Sequence, residues 1–175
     1  LNETDAKDYV YWNDAASKLS KVFWPGPLTL VLPRLPNCKI SFLASAGLDS
    51  LAIRVPSHSL AQQLLSNTHC PRAAPSANKF GRISPTTALH VDEEFGPELA
   101  FILDGGPCQL GLESTVVDLT TKQPVLLRPG SITNEELASV IGPIATATRN
   151  SKIKSPGMLD RHYAPDATLR LNVNT

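Results

Sequence analysis

An α/β fold is what this sequence predicts, and three observations predict it. Short apolar runs of strand length recur at residues 28–32, 51–56, 115–119 and 125–127. Between them lie stretches with helical spacing of apolar residues, opened by Asn, Ser or Thr. Polar residues then gather at the junctions: Pro75-Ser76-Ala77-Asn78, Ser84-Pro85-Thr86, Glu113-Ser114-Thr115-Val116-Val117-Asp118 and Leu127-Arg128-Pro129-Gly130. Strand ends and helix starts are where α/β proteins hold nucleotides and small anions.

The elements follow in order. Asn13 or Asp14 caps a helix through Val22, with Ala15, Leu19 and Val22 on one face. Trp24-Pro25-Gly26-Pro27 ends it. Residues 28–32 form a buried strand, 33–50 are mostly loop, and 51–56 form a second strand. Ser57 caps a helix through Leu65. Residues 72–74 read as a short strand running into a loop over 75–83. Ser84 caps the next helix, to about Glu94, with Pro85 at its first position, where the missing N–H costs nothing. Strands follow at 99–103, 115–119 and 125–127. Thr133 with Glu136 makes a capping box for a helix through Ile141. From Gly142 the apolar periodicity stops, and residues 142–167 read as a linker. A new strand starts at about Leu169, so residues 1–141 form one domain and 168–175 open another.

Bulk numbers narrow the function. A chain of 175 residues that is 42% hydrophobic and 18% charged can bury a core. Sixteen basic and sixteen acidic residues cancel, so net charge draws it to neither nucleic acid nor membrane. Cys38, Cys70 and Cys108 are widely spaced, with no CxxC pair, and free thiols fit a reducing, cytoplasmic compartment. The apolar runs are too short to span a bilayer, and no signal peptide is visible. The opening Leu1-Asn2-Glu3-Thr4 reads as the interior of a longer polypeptide.

Several residues carry two readings each. Arg54 lies in an apolar strand run without an acidic neighbour, where it either forks onto a ligand carboxylate or points to water from an edge strand. Ser76 and Asn78 either cradle a phosphate or make ordinary turn bonds. Ser84 either adds a helix dipole to that cradle or simply caps. Ser114 and Thr115 open a strand, and Glu113 is a base or a solvated loop acid. Arg128 holds a phosphate, stacks on a base, or ends a strand in water. His162 and Tyr163 anchor the linker or form a lid. Ser76 has no GxSxG elbow around it and is no hydrolase nucleophile.

Six of these pieces, in this order, resemble the YrdC/Sua5 family of threonylcarbamoyl-AMP synthases: Trp24-Pro25-Gly26-Pro27-Leu28-Thr29, Ile53-Arg54-Val55-Pro56, Ala74-Pro75-Ser76-Ala77-Asn78, Ser84-Pro85-Thr86, Glu113-Ser114-Thr115-Val116-Val117-Asp118 and Leu127-Arg128-Pro129-Gly130. Ser155-Pro156-Gly157-Met158 and His162-Tyr163-Ala164-Pro165 resemble the linker of its long, Sua5-type members. The resemblance implies a YrdC-like twisted mixed sheet with flanking helices around a concave cleft. It implies a reaction of L-threonine, bicarbonate and ATP with Mg²⁺, giving threonylcarbamoyl-AMP and pyrophosphate. That product feeds the t6A modification of tRNA, completed by a separate transferase complex.

Carried over by motif, Arg54, Ala74 and Ser114 would bind L-threonine. Ser50, Ser76, Ser84, Arg128 and Tyr163 would bind ATP. The family's opening strands, with a threonine-binding segment and a Lys-x-Arg motif, have no counterpart before Leu1. That implies weak or no synthase activity from this chain alone. Two alternatives are a non-catalytic module binding double-stranded RNA or tRNA, against which neutral charge argues, and a hydrogenase-maturation carbamoyl-adenylate domain, against which the linker motif argues.

Overall fold

The computed structural model describes residues 2–79 and 81–147. They fall into two compact units, one of residues 2–73 and 112–147 and one of residues 74–111.

The first unit is a five-stranded mixed sheet in the order β2-β1-β3-β4-β5. Its strands are β1 (Leu28–Pro33), β2 (Ser50–Ile53), β3 (Thr115–Asp118), β4 (Val125–Arg128) and β5 (Ala145–Thr146). Strand β1 pairs antiparallel with β2 and parallel with β3; β3 pairs antiparallel with β4, and β4 parallel with β5. Its α-helices are α1 (Glu3–Ala6), α2 (Asp14–Phe23), α3 (Ser59–Thr68) and α5 (Asn134–Ile141), with α4 in the second unit.

Strand alternation sorts the side chains onto two faces. Leu28, Leu30 and Leu32 of β1 pack with Ala16 and Leu19 of α2 and Leu137 of α5 in the main core. Val31 faces the other way and packs with Val116 and Leu127. Thr29 shares that second face by the same alternation. The register of β3 and β4 shifts between Val116 and Val117, opposite Arg128 and Leu126 respectively, which leaves Leu127 as the extra residue of a bulge. The bulge re-aims the end of β4, where Arg128 sits.

Helix ends are made as local chemistry dictates. Asn13 Oδ1 accepts from Ala16 N (2.9 Å) while its amide donates to Leu119 O (3.2 Å), tying the start of α2 to the end of β3. The buried face of α2 is Ala16, Leu19 and Ser20, one residue round from the expected face, and Val22 is exposed. The Thr133–Glu136 capping box is present in both directions (2.8 and 3.2 Å). Thr133→Ala is expected to cost about 1 kcal/mol, read as a lower denaturant midpoint with an unchanged slope.

Several expected elements differ. Helix α3 starts after His58, with no side-chain cap, not at Ser57. Residues 72–74 and 99–103 form no ladder among the described residues, and Phe101 and Leu103 are exposed. Strand β2 stops at Ile53, so Arg54 follows the strand instead of lying within it. Helix α1 and strand β5 have no counterpart among the expected elements. The first is a four-residue turn held by Asn2 and Asp5, with Glu3 bonded to Lys7, Ser17 and Ser20. The second is a two-residue strand made by pairing with β4, inside the segment read as linker.

The second unit holds α4 (Ala88–Phe95) and a 3₁₀ turn at Gly96–Glu98. The N-cap of α4 is Thr87, whose hydroxyl accepts from His90 N (3.3 Å), not Ser84. Pro85 biases Ser84 toward extended backbone, and the chain stays non-helical through Thr87. No helix among the described residues is long and apolar enough to cross a membrane.

Candidate functional site

In the first unit the Glu113-Ser114-Thr115 segment is pinned at the junction of β1, β3 and the turn after β4. Thr115 is fully buried. Its hydroxyl donates to Ile132 O (2.9 Å) and accepts from Ile132 N (3.1 Å), and its N–H donates to Pro27 O (2.9 Å). Gly130 lies against this segment so closely that a Cβ there would fall 2.5 Å from Thr115 N and 2.6 Å from Glu113 O. Only a residue without a side chain fits.

Arg128 closes over the same segment. Its Nε and Nη2 donate to Ser114 O (3.0 and 2.8 Å), Nη2 also donates to Ser114 Oγ (3.0 Å), and Nη1 pairs with Glu113 Oε2 (3.2 Å). Ser114 Oγ in turn lies 2.7 Å from Thr29 Oγ1. Burial pushes the Arg128 guanidinium down from the usual arginine value; Glu113 opposes this, and the like charge of Arg54 adds to it. Arg54 and Arg128 are therefore within electrostatic reach, yet Glu113 pairs with Arg128.

Arg54 is different. Among the described residues it has no hydrogen-bond or ion-pair partner. Surrounding protein crowds its guanidinium enough to lower its pKa, while its surface stays open to solvent. The open surface lets an anion from solution reach a cation that has no partner among the described residues, and a guanidinium fork suits a carboxylate. Ser50, the first residue of β2, is half-buried opposite Pro33.

In the second unit Ala74 and Ser76 are exposed. Asn78 Nδ2 donates to Lys79 O (3.0 Å) and Arg82 O (3.1 Å), closing the loop, while its buried Oδ1 has no partner among the described residues. Glu94 accepts from Lys79 N and Arg82 Nη1 (both 2.8 Å), anchoring the loop to α4. Ser84 is half-buried ahead of the Thr87 cap. Tyr163 lies outside the described residues.

The sequence model of the Sua5/YciO/YrdC family, described as "Telomere recombination", matches residues 2–130. The chain belongs to this family. A second model, "Threonylcarbamoyl-AMP synthase, C-terminal domain", matches residues 132–175. The threonylcarbamoyl-AMP synthase of Bacillus subtilis is 48% identical over 162 residues, covering 90% of this chain and 46% of that protein. The enzyme of the same name from Pyrococcus abyssi is 46% identical, covering 88% of this chain and 46% of its own. The crystal structure of P. abyssi Sua5 complexed with L-threonine superposes with a TM-score of 0.88 at 42% identity, over 95% of this chain and 51% of that one. The chain thus spans about half the length of the curated relatives it matches. E. coli YciO shares the fold alone, at 24% identity and a TM-score of 0.63.

The sequence alone assigns Thr29 no role of its own, although a hydroxyl in the middle of the apolar run Leu28-Thr29-Leu30-Val31-Leu32 is a signal. Nor does it show that Glu113 is the counterion of Arg128.

Proposed function

We propose that this chain forms part of an L-threonylcarbamoyladenylate synthase, a nucleotidyltransferase that condenses L-threonine, bicarbonate and ATP. The observation that carries the reading is the unpartnered Arg54 beside the Arg128–Glu113–Ser114 network, in a chain 42% identical to a structure that holds L-threonine. In this reading Arg54 takes the threonine carboxylate as a guanidinium fork. Ser114, with Ala74 contributing backbone, meets the rest of the amino acid.

In this reading Ser50, Ser76, Ser84, Arg128 and Tyr163 are the ATP-binding residues. Arg128 has one Nη1 hydrogen beyond its internal contacts, so its larger part is to fix Ser114 and Glu113 while lending positive charge. Residues 1–141 form the catalytic domain and 168–175 begin the next.

The reaction balances as threonine, bicarbonate and ATP giving threonylcarbamoyl-AMP, pyrophosphate and water. The threonine amine forms the C–N bond with the bicarbonate carbon as a C–O bond of bicarbonate breaks, its oxygen leaving as water with a proton from the amine, and the carbamate oxygen then displaces pyrophosphate at the α-phosphorus. The chain's own residues bind and orient the reactants and supply cationic charge where phosphate charge develops. Among the described residues no group of three His, Cys, Asp or Glu could hold a metal. In this reading Mg²⁺ enters with the triphosphate, where it would neutralise phosphate charge. The product then passes to a separate transferase complex that acts on tRNA, in the cytoplasm.

Pyrophosphate release with and without L-threonine tests the reading. Residues 1–175 alone are expected to turn over weakly or not at all, and a polypeptide of the relatives' length to show threonine-dependent release. Release indifferent to threonine at that length contradicts the proposal, and tight, steeply salt-dependent RNA binding in its place would favour an RNA-binding module.

A further inference from the structure

We infer that Thr29 is a positioning residue that sets the direction in which Ser114 presents its hydroxyl hydrogen; the inference rests on the threonine-binding reading above. Ser114 is only 6% exposed, so each of its hydrogen-bonding capacities must be met by protein or ligand. Its hydroxyl has two lone pairs and one hydrogen. Arg128 Nη2 donates to Ser114 Oγ at 3.0 Å and occupies one lone pair. Thr29 Oγ1 lies at 2.7 Å, a short contact between two hydroxyls. When Thr29 donates, both lone pairs of Ser114 are filled. The Ser114 hydrogen is then left to an acceptor from outside this cluster, such as an oxygen of the bound amino acid. Without Thr29 the Ser114 hydroxyl keeps one fixed contact and is free to rotate about it.

Packing gives no reason for a hydroxyl at position 29. Thr29 is half-buried; Leu28, Leu30, Val31 and Leu32 flank it, all buried, and its partners across the ladder and along its face are Val116 and Val31. Valine has the same shape and a higher affinity for such a surface. Among the described residues Ser114 is the hydrogen-bond partner of Thr29. The hydroxyl is therefore spent on Ser114, 85 residues away in sequence. Arg128 holds Ser114 from the β4 side through its carbonyl and hydroxyl together, and Thr29 adds the second contact to the hydroxyl, which fixes the rotation that one contact leaves open.

The test compares Thr29→Val, Thr29→Ser and Ser114→Ala in the protein at its relatives' length, by calorimetric binding of L-threonine and separately of ATP. Thr29→Val is expected to weaken L-threonine binding about 5- to 10-fold, in line with loss of one hydrogen bond, with ATP affinity and melting temperature retained. Thr29→Ser is expected to restore binding. In the Ser114→Ala background the Thr29→Val change is expected to add no further loss, because the two hydroxyls act as one unit. Wild-type affinity in Thr29→Val, alongside weakened binding in Ser114→Ala, overturns the role of Thr29 and leaves the function standing. Equal losses for both ligands also overturn it, since a fold defect would move both. Absence of L-threonine binding in the unaltered protein overturns both readings.

Discussion

Arg54→Ala is expected to reduce L-threonine affinity by about 10- to 150-fold, corresponding to about 1.5–3 kcal/mol for losing hydrogen bonds between a charged group and its ligand. The stability of the unliganded protein is expected to change little, because Arg54 makes no hydrogen bond or ion pair among the described residues. This combination separates a ligand-binding arginine from a structural one. Arg128→Ala should behave in the opposite way, losing stability through Glu113 and Ser114. Arg54→Lys is expected to recover only part of the binding, since an ammonium cannot present the planar fork. Calorimetry with L-threonine and thermal melts on the same three proteins check the pattern.

Gly130→Ala is expected to destabilise the protein by about 3 kcal/mol, the upper end of what overpacking costs, lowering the melting temperature by about 6–12 °C at this chain length. The cause is contact with backbone, not with a side chain that can turn aside. The added methyl would meet Thr115 N, Glu113 O and Thr115 Oγ1 at 2.5, 2.6 and 2.7 Å. Relief requires the segment 113–115 to move, and that segment carries Ser114 and the counterion of Arg128. L-Threonine affinity is therefore expected to fall together with stability. A melt within about 1 °C of the unaltered protein, a shift too small for an overpacked core, with unchanged binding, would show that the close approach of Gly130 does not position the segment.

Much of the fold is legible in the sequence because it rests on local chemistry. The Thr133–Glu136 capping box, the Asn13 cap and the short strands at 28–32, 115–119 and 125–127 are all decided within a few residues, and all are present. Differences arise where neighbouring residues compete for one role. Residues 84–87 offer three hydroxyls as caps, and Pro85 moves the choice to Thr87. Strand β5 exists because Val125 and Leu126 pair with it, which Ala145 and Thr146 do not announce. At the site, the isolated charge of Arg54 is visible in its apolar surroundings. The closure of Arg128 onto Glu113 and Ser114 is not, because it spans 14 residues or more and depends on the bulge at Leu127. Thr29 shows as a lone hydroxyl, but its partner is brought to it by the parallel pairing of β1 with β3.

The most direct test of the central claim follows threonylcarbamoyl-AMP itself. The protein, at the length of its relatives, is incubated with ATP, Mg²⁺, bicarbonate and isotopically labelled L-threonine, and the nucleotide products are resolved by mass spectrometry. The account predicts an adenylate carrying both the labelled threonine and the bicarbonate carbon, formed together with pyrophosphate and lost in Arg54→Ala. ATP turnover that yields no threonine-bearing adenylate, or the same yield from Arg54→Ala, would contradict it.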